Sequence, residues 1–147
     1  MKEVSIYIDG SCSGNPGPGG WAAVCKEKEK KRAVKGFALH TTNNKMELAA
    51  AVGAIKALKC PCLINLYTDS AYLVTCSNHD NAWLTKDDRA NRELWMEFLQ
   101  AAEQGKHTVV FIKVAGHAGV ELNELADRLA KEQCRKAKHL AYGKRRV

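Results

Sequence analysis

The sequence predicts an α/β fold: a five-stranded mixed sheet with helices packed on it. Two observations carry this prediction. Strand and helix signals alternate along the chain, and the first three strand signals arrive in succession before any helix. Three adjoining strands make an antiparallel meander. Each later strand follows a helix, which must cross over and bring it in parallel. At 147 residues the chain is expected to be one domain, residues 1–147, large enough to bury a core.

The elements follow in order. EVSIYID (3–9) alternates, with Val4, Ile6 and Ile8 on one face and Ser5, Tyr7 and Asp9 on the other. GWAAVCKEKEKKRAVKGFAL (20–39) reads as two strands around a charged turn, and Lys26 to Arg32 as a solvated hairpin tip. NKMELAAAVGAIKALK (44–59) has the period of a helix of about four turns. CLINLYTDS (62–70) is an apolar strand ending on Asp69, followed by a short helix over SAYLVTCSN (70–78) and an irregular connection over 78–88. ANRELWMEFLQAAEQGK (90–106) is a helix closed by Gly105. HTVVFIKVAGH (107–117) is the fifth strand and VELNELADRLAKEQCRKAK (120–138) the last helix, leaving a basic, flexible tail from about 140.

Composition narrows the partners. Hydrophobic residues make up 46% and charged residues 27%, as in an ordinary globular protein, and the net charge of +7 favours a polyanion. MKEVSIYIDG enters a strand without a signal core, and no apolar run reaches spanning length, so the expectation is a cytoplasmic chain with no membrane partner. Six cysteines in such a chain read as reduced thiols. The close pair Cys60 and Cys62 lacks the second pair of a zinc site.

Three acids stand where chemistry is expected. If the first and fourth strands are parallel neighbours, Asp9 and Asp69 share the carboxyl end of the sheet, where open α/β sheets place ligands. Ala50, Ala51, Ala54, Ile55 and Leu58 fall three, four, seven, eight and eleven residues after Glu47, so Glu47 lies on the helix stripe that faces the sheet. A plain preference for acids near a helix start also accounts for it. Converging carboxylates repel unless a cation joins them, and all-oxygen ligands suit Mg²⁺ or Mn²⁺ better than zinc.

The order IYIDGSCSGNPGPGGWA, TTNNKMELAA, LYTDSAYLV and GHAGVELNELADRLA resembles the type 1 ribonuclease H family over nearly the whole chain. The resemblance implies the ribonuclease H-like fold, with helices on both faces of the sheet. It implies hydrolysis of the RNA strand of an RNA–DNA hybrid, two Mg²⁺ per site with Mn²⁺ able to substitute, and 5′-phosphate and 3′-hydroxyl ends. By its motifs Asp9, Glu47, Asp69 and Asp127 match the metal carboxylates, and His117 matches the histidine of proton transfer or product release. Asp127 on the flank of the stripe Leu122, Leu125, Ala126 and Leu129 would by itself read equally as a surface aspartate, and His117 as a loop histidine between Gly116 and Gly119. Ser11, Cys12, Asn15, Asn43 and Asn44 match contacts to RNA 2′-hydroxyls and bases. Thr42 and Asn91 match a pocket for a DNA phosphate. Asn43 also suits a helix cap and Asn91 a helix start, while the glycines after Asp9 would let backbone approach RNA. The expected protein is a monomer. Two other readings are a hybrid-binding module without catalysis and a resolvase or transposase core of related fold.

Two departures bear on substrate grip. Where handle-bearing relatives carry a basic insertion, Asn78 to Glu93 sums to −1, with Trp83 a possible stacking platform or a buried anchor. Ala71 replaces a longer polar residue. By contrast Arg135 to Val147 carries +6, which suits either a solvated tail or a substitute for the handle.

Overall fold

The computed structural model describes residues 1–78, 89–115 and 121–143. His117, Gly116, Gly119, Trp83 and the three terminal cations Lys144, Arg145 and Arg146 lie outside the described residues. Strands β1 (Lys2–Cys12), β2 (Gly17–Glu27) and β3 (Lys30–Thr41) precede helix α1 (Asn43–Lys56) and strand β4 (Cys62–Thr68). Helices α2 (Ala71–Asn78) and α3 (Arg89–Gln104), strand β5 (Thr108–Lys113) and helix α4 (Glu121–Tyr142) complete the order.

The sheet runs β3-β2-β1-β4-β5, antiparallel across the first three strands and parallel from β1 to β4 to β5. Helices cover both faces. On one, α1 packs on β1, β2 and β3 and against α3. On the other, α4 packs on the same three strands. Val4, Ile6, Ile8, Ile64 and Leu66 meet Leu48, Ala51 and Ile55 in the main core, which α3 closes with Trp95 and Phe98. Burial of such aliphatic side chains stabilises by roughly 1.5–3 kcal/mol each.

Local chemistry explains most boundaries. Thr42 caps α1: its hydroxyl accepts from the Lys45 N–H at 3.3 Å, so the cap is Thr42 and not Asn43. The hairpin turns over Lys28 (φ 55) and Glu29, so the charged run lies mostly on strand ends. Three expectations are corrected. β1 continues three residues past Asp9, because Asp9, Gly10, Ser11 and Cys12 still pair with β2. β5 ends at Lys113, where its pairing with β4 ends. α4 runs to Tyr142, past the expected end at 138, and the half-buried Ala141, four residues after the buried Ala137, continues its packed face.

Gly20 holds α4 in place. A Cβ there would lie 2.4 Å from the Cys134 nitrogen and 2.6 Å from the Ala130 oxygen, backbone atoms that no rotamer change can move aside. Gly20→Ala is therefore expected to lift α4 and cost about 1–3 kcal/mol, the usual range for overpacking. Denaturant unfolding checks this, and unchanged stability would rule out so close a contact.

Candidate metal centre and nucleic-acid interface

The topology makes the site. β1 has β2 on one side and β4 on the other, yet its pairing with β4 ends at Tyr7 and Tyr67, whose rings stack 4.5 Å apart. Beyond that pair the strands part, and Asp9 and Asp69 stand over the opening. Asp69 follows the last residue of β4. There the Thr68 hydroxyl accepts from the Ser70 N–H at 3.0 Å, and the Ser70 hydroxyl accepts from the Leu73 N–H at 3.2 Å to start α2.

Glu47 arrives from α1, buried on the expected stripe. Gly10 permits it: a Cβ on Gly10 would lie 2.7 Å from the Glu47 nitrogen. The Gly10 N–H donates to Asp9 Oδ1 at 2.9 Å and to Glu47 Oε1 at 3.0 Å, tying the two acids to one amide. Internal packing thus accounts for Gly10 and Gly20, where the sequence suggested room for RNA.

Asp9, Glu47 and Asp69 each offer an oxygen within 4.8 Å of the others. No lysine or arginine pairs with any of the three among the described residues. The electrostatics follow. Burial, then a hydrogen bond with Asp127, pushes the Asp9 carboxyl up to about 7. Burial, then the charge of Asp9, raises Glu47 well above the usual carboxylate range. Glu47 Oε2 is buried with no hydrogen-bond partner. A buried, unsatisfied carboxylate oxygen facing two more acids is the donor set of a hard divalent cation.

Asp127 lies on α4, beside Asp9 but outside that group of three, and pairs with Lys131 at 3.1 Å. The acid and lysine four residues apart on a helix were visible in the sequence as a pair and were not read as one.

The substrate residues form two clusters. Near the turn after β1, Asn15 Oδ1 accepts from the Asn43 N–H at 3.0 Å, and the Cys12 thiol donates to the Thr41 carbonyl at 3.4 Å. This draws Ser11, Cys12, Asn15, Thr42, Asn43 and Asn44 together at the start of α1. Asn91 stands apart, buried on α3, its Nδ2 donating to the Tyr72 hydroxyl at 3.0 Å. The Trp95 indole N–H donates to the same hydroxyl at 3.0 Å. Sequence reading missed Tyr72 as this junction, because only tertiary contact joins α2 to α3.

The model of the family described as RNase H matches residues 1–135. The chain belongs to the RNase H family. A ribonuclease H of Caldanaerobacter subterraneus subsp. tengcongensis is 49% identical over 142 residues, covering 90% of this chain and 92% of the relative. One from Thermoanaerobacter sp. is 48% identical over 145 residues, covering 92% of each. Among solved structures, LC9-RNase H1, described as a type 1 RNase H with the type 2 active-site motif, superposes with a TM-score of 0.82. It is 29% identical and covers 93% of this chain and 74% of that one. This RNase H is accordingly of type 1, a nuclease that degrades RNA in RNA–DNA hybrids and depends on a divalent metal. Membership decides against a resolvase or transposase core. No helix among its described residues is long and apolar enough to cross a membrane.

Proposed function

We propose that Asp9, Glu47, Asp69 and Asp127 hold two Mg²⁺, with Mn²⁺ able to substitute, and that this site hydrolyses the RNA strand to leave 5′-phosphate and 3′-hydroxyl ends. The convergence of Asp9, Glu47 and Asp69, with one Glu47 oxygen buried and unsatisfied, carries this reading. Bound there, the two cations supply an activated water and charge stabilisation for the leaving oxygen. The chain's own residues do the placing. Asp9 and Glu47, fixed on the Gly10 amide, set one wall, and Asp69 and Asp127 close the site from β4 and α4.

Ser11, Cys12, Asn15, Asn43 and Asn44 lie along the turn and helix start next to Asp9, and in this reading contact RNA 2′-hydroxyls. Thr42 and Asn91 hold a DNA phosphate. His117 moves a proton or speeds product release. The protein acts as one domain over residues 1–147, a monomer, in the cytoplasm.

Cleavage of a labelled RNA–DNA hybrid in Mg²⁺, beside RNA–RNA and DNA–DNA duplexes, tests the reading. Cutting confined to the RNA of the hybrid, ending in 5′-phosphate, is expected, and none with chelator. His117→Ala should slow turnover by about 10²–10⁴-fold, the usual worth of an acid–base group, without abolishing it. A variant as inactive as a lost carboxylate would make His117 structural or a metal ligand.

A further inference from the structure

Past Asp127 the solvent side of helix α4 turns basic. Arg128, Lys131, Arg135 and Lys138 are all exposed and fall at intervals of three and four residues, so they line one side of the helix. At the helical rise they span about 15 Å. Lys131 and Lys138 come four and eleven residues after Asp127, about one and three turns, so both lie on the flank that carries it. Glu132 stands at the edge of the row, four residues after Arg128 and three before Arg135, so one acid accompanies four cations; Lys136, four residues further on, has its ammonium 5.3 Å from the Phe37 ring of β3.

The position of this row is fixed. Gly20 packs against Ala130 and Cys134, and the Cys134 thiol donates to the Pro18 carbonyl at 3.5 Å. Gly20 and Gly19 pair with Ser11 and Cys12. The row therefore starts beside the carboxylates and passes the turn assigned to RNA. Lys131 is held by Asp127, whereas Arg128, Arg135 and Lys138 have no ion pair among the described residues. The other dense run of cations, Lys26 to Arg32, is placed differently. Asp9 pairs with Ala22, and Lys28 lies six residues further along, about 20 Å at strand spacing. Its charges also alternate with Glu27 and Glu29.

We propose that Arg128, Lys131, Arg135 and Lys138 form a phosphate-binding rail on α4 that extends the grip on the hybrid's backbone beyond the cleavage site. It supplies there the net positive charge that residues 78–93 lack. The proposal rests on the function proposed above for the binding of hybrid. It reads no base sequence, since each contact is to a phosphate.

The test is hybrid binding by the full chain in chelator, followed by fluorescence anisotropy of a labelled hybrid across a salt series. Each phosphate contact contributes about 0.9 to the slope of log K against log salt. The variant R128Q/R135Q/K138Q should lose about 2–3 units of slope and bind at least about ten-fold more weakly at low salt. K28Q/K30Q/R32Q removes the same charge from the far hairpin and should keep the wild-type slope. R128K/R135K/K138R should also keep it. A wild-type slope in the rail variant, or equal losses in the rail and hairpin variants, overturns the rail. Cleavage of the same hybrid by the wild type in Mg²⁺ separates the two readings. If the wild type cuts and the rail variant keeps its slope, the rail alone falls. If the wild type does not cut, the nuclease assignment falls, and the slopes still decide the rail.

Discussion

Asp69→Asn is expected to abolish cleavage and leave the fold intact. The amide keeps the shape of the carboxyl and removes its charge, so the three remaining acids must hold dications with one anion fewer. The Thr68 and Ser70 hydroxyls that shape the end of β4 and the start of α2 are untouched, so the local backbone should stay in place. The loss should exceed the roughly 10²–10⁴-fold expected of His117→Ala, because a missing ligand removes the active arrangement and not one proton transfer. Calorimetric titration with Mg²⁺ should show weakened metal binding in step with lost activity. Near wild-type turnover at saturating Mg²⁺ would remove Asp69 from the ligand set.

Without metal, the protein should lose stability as pH rises. Asp9 titrates at about 7 in the folded state against 3.8 unfolded, because burial, then its hydrogen bond with Asp127, favours the neutral acid. A raised carboxyl pKa contributes stability that is complete below about 3.8 and lost as pH climbs through about 7. The difference of roughly three units corresponds to about 4 kcal/mol at 1.36 kcal/mol per unit. Glu47, raised well above its usual range, adds a loss of the same sign at higher pH. His107 acts oppositely: burial lowers its pKa, so it contributes stability as pH rises through the histidine range. Comparing the wild type with Asp9→Asn cancels His107. In chelator, the wild type should be less stable at about pH 8 than at about pH 5, and Asp9→Asn should lose less over the same range. Saturating Mg²⁺ should restore the wild type at the higher pH. A wild type whose stability climbs with pH as steeply as that of Asp9→Asn would contradict the burden placed on Asp9.

Local pattern explains how much of this was legible. The strand at 62–68 and the stripe through Ala50, Ala51, Ala54 and Ile55 repeat at fixed periods, and a period is a property of neighbouring residues. Glu47 could be placed toward the sheet for that reason alone. The start of α3, read one residue late, is an ordinary boundary difference. The extra turn of α4, residues 139–142, was hidden because the chain from about 140 read as a basic tail. The half-buried Ala141, four residues after Ala137, continues the packed stripe there.

The sequence by itself determined the order of the strands and helices, the family, and the acids grouped as candidate ligands. These follow from periodicity and from motifs a few residues long. The tertiary structure alone decided why Gly10 and Gly20 are glycine, that one amide holds both Asp9 and Glu47, and that Tyr72 joins Asn91 to Trp95. Gly10 is separated from Glu47 by 37 residues and Cys134 from Pro18 by 116. What a missing Cβ makes room for is set by the segment that folding brings against it, and no local pattern in the chain records that neighbour.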